Sequence, residues 1–181
     1  MNISDKLSDL IKTYRCNNKY EIIFTLGKYT DDFGFEDHLF SKENFNKIYK
    51  TLDTYNSWDS VVDETDEIYS DVPEKVIDTI IFKSESSPYD ILINVCSKNT
   101  ERIFKNNDYV EHVTIYSRKH HVYKAISIDT EFSENFFKFV IKLVPDKKTS
   151  DKYLADSSIL KVLDILNMCE NVGKDIKFTK I

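Results

Sequence analysis

Glycine, proline and cysteine number three each in this 181-residue chain, and there is one tryptophan. That scarcity excludes collagen-like and elastic architectures and leaves no glycine-rich loop to cradle a phosphate. Cys16, Cys96 and Cys169 are far apart, odd in number and never spaced Cys-x-x-Cys. They read as reduced, buried thiols of a cytoplasmic protein, viral or host, and not as a disulfide framework or a zinc site. No run approaches the ~18 apolar residues of a membrane span. The first 16 residues carry charges through their only apolar stretch, so neither a signal peptide nor secretion is expected, and no membrane partner. Nucleophile-elbow, P-loop, HExxH and kinase signatures are all missing.

What is present suits a folded protein. Hydrophobic residues make up 41% and charged residues 31%, which excludes a wholly disordered chain, and the length fits a single domain over 1–181. At this size roughly 70% of the unfolded surface can be buried, so no disulfide or metal is needed for stability. The net charge of −6 disfavours broad binding to a phosphate backbone but leaves room for a local basic patch.

Hydrophobic periodicity predicts a helix over 4–16, with Leu7, Leu10, Ile11 and Tyr14 on one face and Ser4 as N-cap. Residues 19–29 alternate as a strand, Tyr20, Ile22, Phe24 and Leu26 on one face and Glu21, Ile23 and Thr25 on the other, with Gly27 marking a bulge or bend. A loop with Gly34 leads to a helix capped by Ser41 and carrying Phe45, Ile48, Tyr49 and Leu52. Residues 56–75 are acidic and read as a solvated loop; they lack the glycine an EF-hand turn requires. Strands are then expected at 76–83, 89–96, 111–117, 122–132 and 135–144, separated by turns such as 86–88 and 105–107. A last helix, capped by Asp156 or Ser157 and closed near Gly173, should bury Leu160, Leu163 and Leu166 against the sheet, and a short strand ends the chain.

No helix of crossover length separates the middle strands, so they should be antiparallel neighbours. Several have one apolar and one charged face, as with Phe137, Phe139, Ile141 and Leu143 against Lys138, Val140 and Lys142. The expected fold is α+β: a mostly antiparallel, tunnel-like β-barrel or strongly curved sheet with two or three flanking helices.

The stretch Tyr20-Glu21-Ile22-Ile23-Phe24-Thr25-Leu26-Gly27-Lys28 resembles the first strand of tunnel-type RNA 5′-triphosphatases, found in fungal and viral mRNA capping enzymes, which commonly reads Glu-x-Glu-x-basic-x-Gly. Tyr89 to Val95 resembles that family's Tyr-Asp-Ile-Arg-Ile strand, and 118–144 its basic strand and those that follow. The resemblance spans most of the chain in order. It implies a tunnel lined by carboxylates on Mg²⁺ or Mn²⁺ and by basic residues on phosphate, removing the γ-phosphate from a triphosphate RNA end. The departures are specific: Ile23 stands for the second glutamate, Thr25 for the basic residue, Leu92 for the arginine, and Lys138 and Val140 for the late glutamates. A degenerate, non-catalytic relative is therefore expected rather than an active enzyme. Abundant Lys, Asn, Ile, Tyr and Phe, the products of AT-rich codons, suit large DNA viruses, some protists and some low-GC bacteria, and with the resemblance a viral source is expected.

On this reading Glu21, Asp129 and Glu131 are the candidate metal ligands. Arg118, Lys119, Lys138 and Lys142 are candidates for phosphate or RNA, and Glu21, Arg118 and Lys119 the catalytic candidates. The bland reading of Asp129 and Glu131 is a solvated strand face paired with Lys138 and Lys142, and that of the basic cluster 118–124 a turn between strands. His120 and His121 would point to opposite faces of a strand, which argues against a two-histidine metal site. Phe45, Tyr55 and Trp58 read as helix-packing aromatics or as a platform for bases. Two other function classes compete: a binding or assembly subunit of a capping or transcription complex, and an acidic inhibitor or immunity protein that masks a basic partner.

Overall fold

The structure is a computed structural model. It describes residues 3–14, 19–37, 40–70, 75–85, 87, 89–97, 113–133, 136–143, 148–169 and 178–180. These form, in chain order, α1 (Ile3–Tyr14), β1 (Tyr20–Thr30), β2 (Gly34–Glu36), α2 (Lys42–Thr54), β3 (Ser60–Ser70), β4 (Val76–Ser84), β5 (Asp90–Ser97), β6 (Val113–Tyr123), β7 (Ile126–Ser133), β8 (Phe136–Leu143), α3 (Asp151–Cys169) and β9 (Phe178–Lys180). The expected turn at 105–107 and the glycine stop at Gly173 lie outside the described residues, as do Ser86 and Pro88 of the 86–88 turn.

One curved antiparallel sheet runs β3-β6-β7-β8-β1-β5-β4-β9, with β2 folded back on β1. Among the described residues no pairing joins β3 to β9, so the sheet is open and the closed-barrel alternative gives way to the curved sheet. The central strand, β1, pairs with β5 over Tyr20–Gly27 and with β8 over Ile22–Thr25. Alternation then sorts its side chains. Ile22, Phe24 and Leu26 are buried with Ile93, Ile141 and Leu143 in the core that α1, α2 and α3 cover. Phe45 of α2 stacks on Phe139 at 4.9 Å between ring centres, and Tyr14 of α1 meets Tyr20 edge-on at 5.6 Å. Glu21, Ile23 and Thr25 face the other way, in register with Cys96, Asn94 and Leu92 of β5.

Several expectations change in physical detail. Ser41 caps α2 as expected, its hydroxyl accepting the Asn44 N–H at 3.1 Å. Ser4 is instead inside the first turn of α1, buried, and its hydroxyl donates to Asp156 of α3, tying the two helices together. Gly27 makes no bulge. The β2 hairpin passes so close that a Cβ there would collide with the Glu36 carbonyl and the Phe35 ring. The acidic stretch expected to be a loop supplies β3, an edge strand whose Asp63 and Glu64 lie in register with Lys119 and Arg118 of β6. Lys119 Nζ lies 4.0 Å from Asp63 across this ladder, and an opposite charge there offsets the poor strand propensity of Asp.

The turn between the strands expected at 111–117 and 122–132 falls later than expected, so β6 continues through Tyr123 and β7 begins at Ile126. The chain turns at Lys124, which adopts φ 52° and whose N–H donates to Asp59 at 2.6 Å. No Gly or Asn-Gly pair marks that turn, so the sequence pattern hides it. The last helix starts at Asp151, at least six residues earlier than a cap at Asp156 or Ser157 would place it, and Ser150 accepts the Tyr153 N–H at 3.3 Å. Its buried face carries Leu154, Ala155, Ser158, Val162 and Ile165, while Leu163 is half-buried and Leu160 is 59% exposed. The side chain of Leu166 lies outside the described ones.

Candidate functional site

Three strands build a charged half on the sheet face that the helices leave uncovered. Across β6, β7 and β8 the register aligns Arg118 with Glu131 and Glu131 with Lys138; one step along, His120 aligns with Asp129 and Asp129 with Val140. The acids thus come from the central strand of the three, flanked by bases. Arg118 Nε lies 3.1 Å from Glu131 Oε1, with both side chains nearly buried. Asp129 is fully buried. Its Oδ1 accepts from His120 Nδ1 at 2.8 Å and from the Ser127 hydroxyl at 2.5 Å, and its Oδ2 faces Lys142 Nζ at 3.6 Å. Lys138 reaches Asp37, beyond β2, at 2.7 Å.

The two acids respond differently to similar burial. For Asp129, desolvation is the largest single influence and pushes the carboxyl up. The hydrogen bonds from His120 and Ser127 and the charges of Lys142 and His120 together outweigh it, holding the group below the ordinary carboxylate range. For Glu131 desolvation wins. The charges of Arg118, Lys138 and Lys142 oppose it without cancelling it, and Asp129 adds a like charge, so the carboxyl is pushed up.

The other half of this face is nearly uncharged. Thr25 aligns with Val140 on one side and with Leu92 on the other, and Ile23 aligns with Asn94. Asn94 binds the Thr79 hydroxyl at 2.9 Å. Glu21 lies four residues along β1 from the row that holds Thr25, Val140 and Asp129, about 13 Å at ~3.3 Å per residue. The structure therefore brings Asp129 and Glu131 together and leaves Glu21 apart. Among the described residues no three His, Cys, Asp or Glu side chains are placed to hold a metal ion.

Of the basic candidates, Arg118, Lys138 and Lys142 share the charged face, and Lys119 does not. As neighbours on one strand, Arg118 and Lys119 point to opposite sides. Lys119 Nζ lies 2.7 Å from Asp53 of α2 and 5.1 Å from the centre of the Tyr49 ring. His121 follows Lys119 onto the helix side, fully buried, with Nε2 3.1 Å from the same Asp53 oxygen. Burial pushes the Asp53 carboxyl up, but Lys119 and His121 together hold it below its ordinary range. The ionised carboxylate can only accept, so the His121 ring nitrogen carries the hydrogen. The cluster 118–121 is thus strand and not turn, and it clasps both layers. Alternation alone could have divided these four residues into two pairs; nothing in the sequence pointed to Asp53 or Asp37 as partners. Of the aromatic candidates, Phe45 and Trp58 pack between α2 and the sheet, and Tyr55 is half exposed. Trp58 donates from Nε1 to the Leu52 carbonyl at 2.8 Å and meets Tyr55 edge-on, while Phe45 is buried among Phe132, Phe137 and Phe139.

Two solved structures share this architecture. The Pct1 RNA triphosphatase of S. pombe superposes with a TM-score of 0.62 at 9% identity, covering 92% of this chain and 93% of that one. The same enzyme in complex with the Spt5 CTD gives 0.60 at 10% identity, with 92% of each chain covered. This chain has the RNA-triphosphatase fold. No family model matches the sequence, and no curated protein does. In this fold the charged face just described lies on the side away from the helices. Among the described residues no helix is long and apolar enough to cross a membrane.

A divalent cation, which the sequence resemblance implies, does not fit the residues present. Magnesium and manganese take about six oxygen ligands. Asp129 has one oxygen committed to His120 and Ser127 and the other against an ammonium, and Glu131 is held by a guanidinium.

Proposed function

We propose that this protein is a tunnel-triphosphatase-like component of an mRNA capping system that holds a phosphorylated RNA end without hydrolysing it. The observation that carries the reading is the chemistry of the uncovered face. Arg118, Lys138 and Lys142 line one half, while Ile23, Thr25, Leu92 and Val140 occupy places where metal-assisted phosphoryl transfer needs charge. A phosphate at this face would compete with Glu131, Asp37 and Asp129 for these three bases, whether or not turnover follows. The AT-biased composition supports a viral source, with action in the cytoplasm of the host.

The test is phosphate release from triphosphate-ended RNA with Mg²⁺ or Mn²⁺, alongside binding of triphosphate-ended and hydroxyl-ended RNA. The expected result is release at background, with a preference for the triphosphate end that Lys142→Ala weakens. Metal-dependent release abolished by Glu21→Ala would restore the enzyme.

A second reading is a non-catalytic assembly subunit for another capping or transcription protein. The exposed Val61 and Val62 on the edge strand β3 favour it, since a sheet edge bearing apolar side chains is a site for strand addition.

A further inference from the structure

We infer that the uncovered face carries its own counter-cation: Lys142, with His120, holds Asp129 in place of a divalent metal, so this face binds no Mg²⁺ or Mn²⁺. The inference rests on geometry alone and not on the RNA reading above. Asp129 lies on the central strand of a three-stranded unit and is fully buried, so its charge needs a partner within the protein. His120 reaches it from β6 at 2.8 Å, and Lys142 from β8 at 3.6 Å. The Lys142 ammonium faces Oδ2, the oxygen that a metal would otherwise find open, because Oδ2 has no hydrogen-bond partner among the described residues. A divalent ion entering there would meet a like charge within about 4 Å, and Glu131, the next acid on the strand, lies against Arg118.

Two measurements on the whole chain test this, neither of them needing RNA or catalysis. The first is a titration with Mn²⁺ followed by electron paramagnetic resonance, with the urea midpoint measured in EDTA and in Mn²⁺. The expected result is no bound Mn²⁺ in the wild type and the same midpoint in both solutions. Stoichiometric Mn²⁺ binding that Asp129→Asn abolishes would overturn the proposal. The second is a double-mutant cycle. Lys142→Met should lower the midpoint in the wild-type background and change it little in Asp129→Asn, and Lys142→Arg should restore most of the loss. Purely additive effects would mean that Lys142 is not the partner of Asp129, and would also overturn it. Absence of triphosphate-RNA binding would end the proposed function and leave these outcomes untouched.

Discussion

At the scale of single residues, buried carboxylates tie strands and layers together. Asp90 is fully buried at the start of β5. Its two oxygens accept the N–H groups of Tyr29 at 3.0 Å and Ser84 at 2.9 Å, and Lys28 lies 3.4 Å away, so one side chain ties β1 and β4 to β5. Asp90→Ala orphans two partly buried donors. It should cost about 1–3 kcal/mol, read as a lower urea midpoint with an unchanged slope. Asp129 gives a pH-dependent effect. Its carboxyl is held below the ordinary range when folded, so the folded state binds fewer protons than the unfolded one near the unfolded value of about 3.9. The stabilisation it supplies is complete above that value and is lost as the pH falls through the lower, folded one. The stability gap between wild type and Asp129→Asn should therefore narrow as the pH falls from about 5 through the acid range. A gap that stays constant over that range would show that Asp129 does not titrate with folding.

At the scale of elements, periodicity located strands and helices well and their faces unevenly. The alternation in β1 and β8 assigned side chains to the two faces correctly, because a strand's two-residue period leaves no choice once one face is apolar; it did not show that Thr25 and Val140, on the face away from the helices, are buried as well. In α3 the apolar residues are nearly continuous, so the pattern could not say which stripe faces the core; packing chose Leu154, Val162 and Ile165 and left Leu160 outside. Ile165→Ala should cost about 2–5 kcal/mol, whereas Leu160→Ala should stay within about 0.5 kcal/mol. Comparable losses at both positions in thermal unfolding would show that α3 is rotated relative to this arrangement. The acidic run at 60–70 was misread for a different reason. Composition marks it as solvated, and it is a strand because its backbone pairs with β6 from Ser60 opposite Val122 to Ser70 opposite Val113.

At the scale of the whole molecule, the sheet couples distant parts of the chain. β1 is bounded by β5 and β8, and β6, though late in sequence, pairs with β3. Such non-local pairing predicts slow folding, in milliseconds to seconds. Trp58 reports on the junction between layers, since its ring meets His121 of β6 at 5.3 Å and its N–H holds the end of α2. If the chain is one cooperative domain, the Trp58 fluorescence transition in urea should coincide with the loss of far-ultraviolet circular dichroism. Two separated transitions would mean that the β6 end of the sheet unfolds on its own.

The sequence by itself determined the class, the antiparallel sense of the middle strands but not their order (β1, β8 and β7 stand between β5 and β6), the capped helix at Ser41 and the apolar face of β1. All of these follow from local spacing and from residues that lie near one another in the chain. It also determined that Ile23, Leu92 and Val140 bring no charge to their face. Only the tertiary structure decided which charges meet. Lys119 and Arg118 are adjacent in sequence and separated by the thickness of the sheet; Asp53 and His121 are 68 positions apart and share a hydrogen bond. Glu21 and Asp129 both carry the oxygen a metal would use, yet the register of β1 on β8 keeps them on different rows. Register is fixed by the packing of the apolar face, so the chemistry of the charged face is settled by residues that take no part in it.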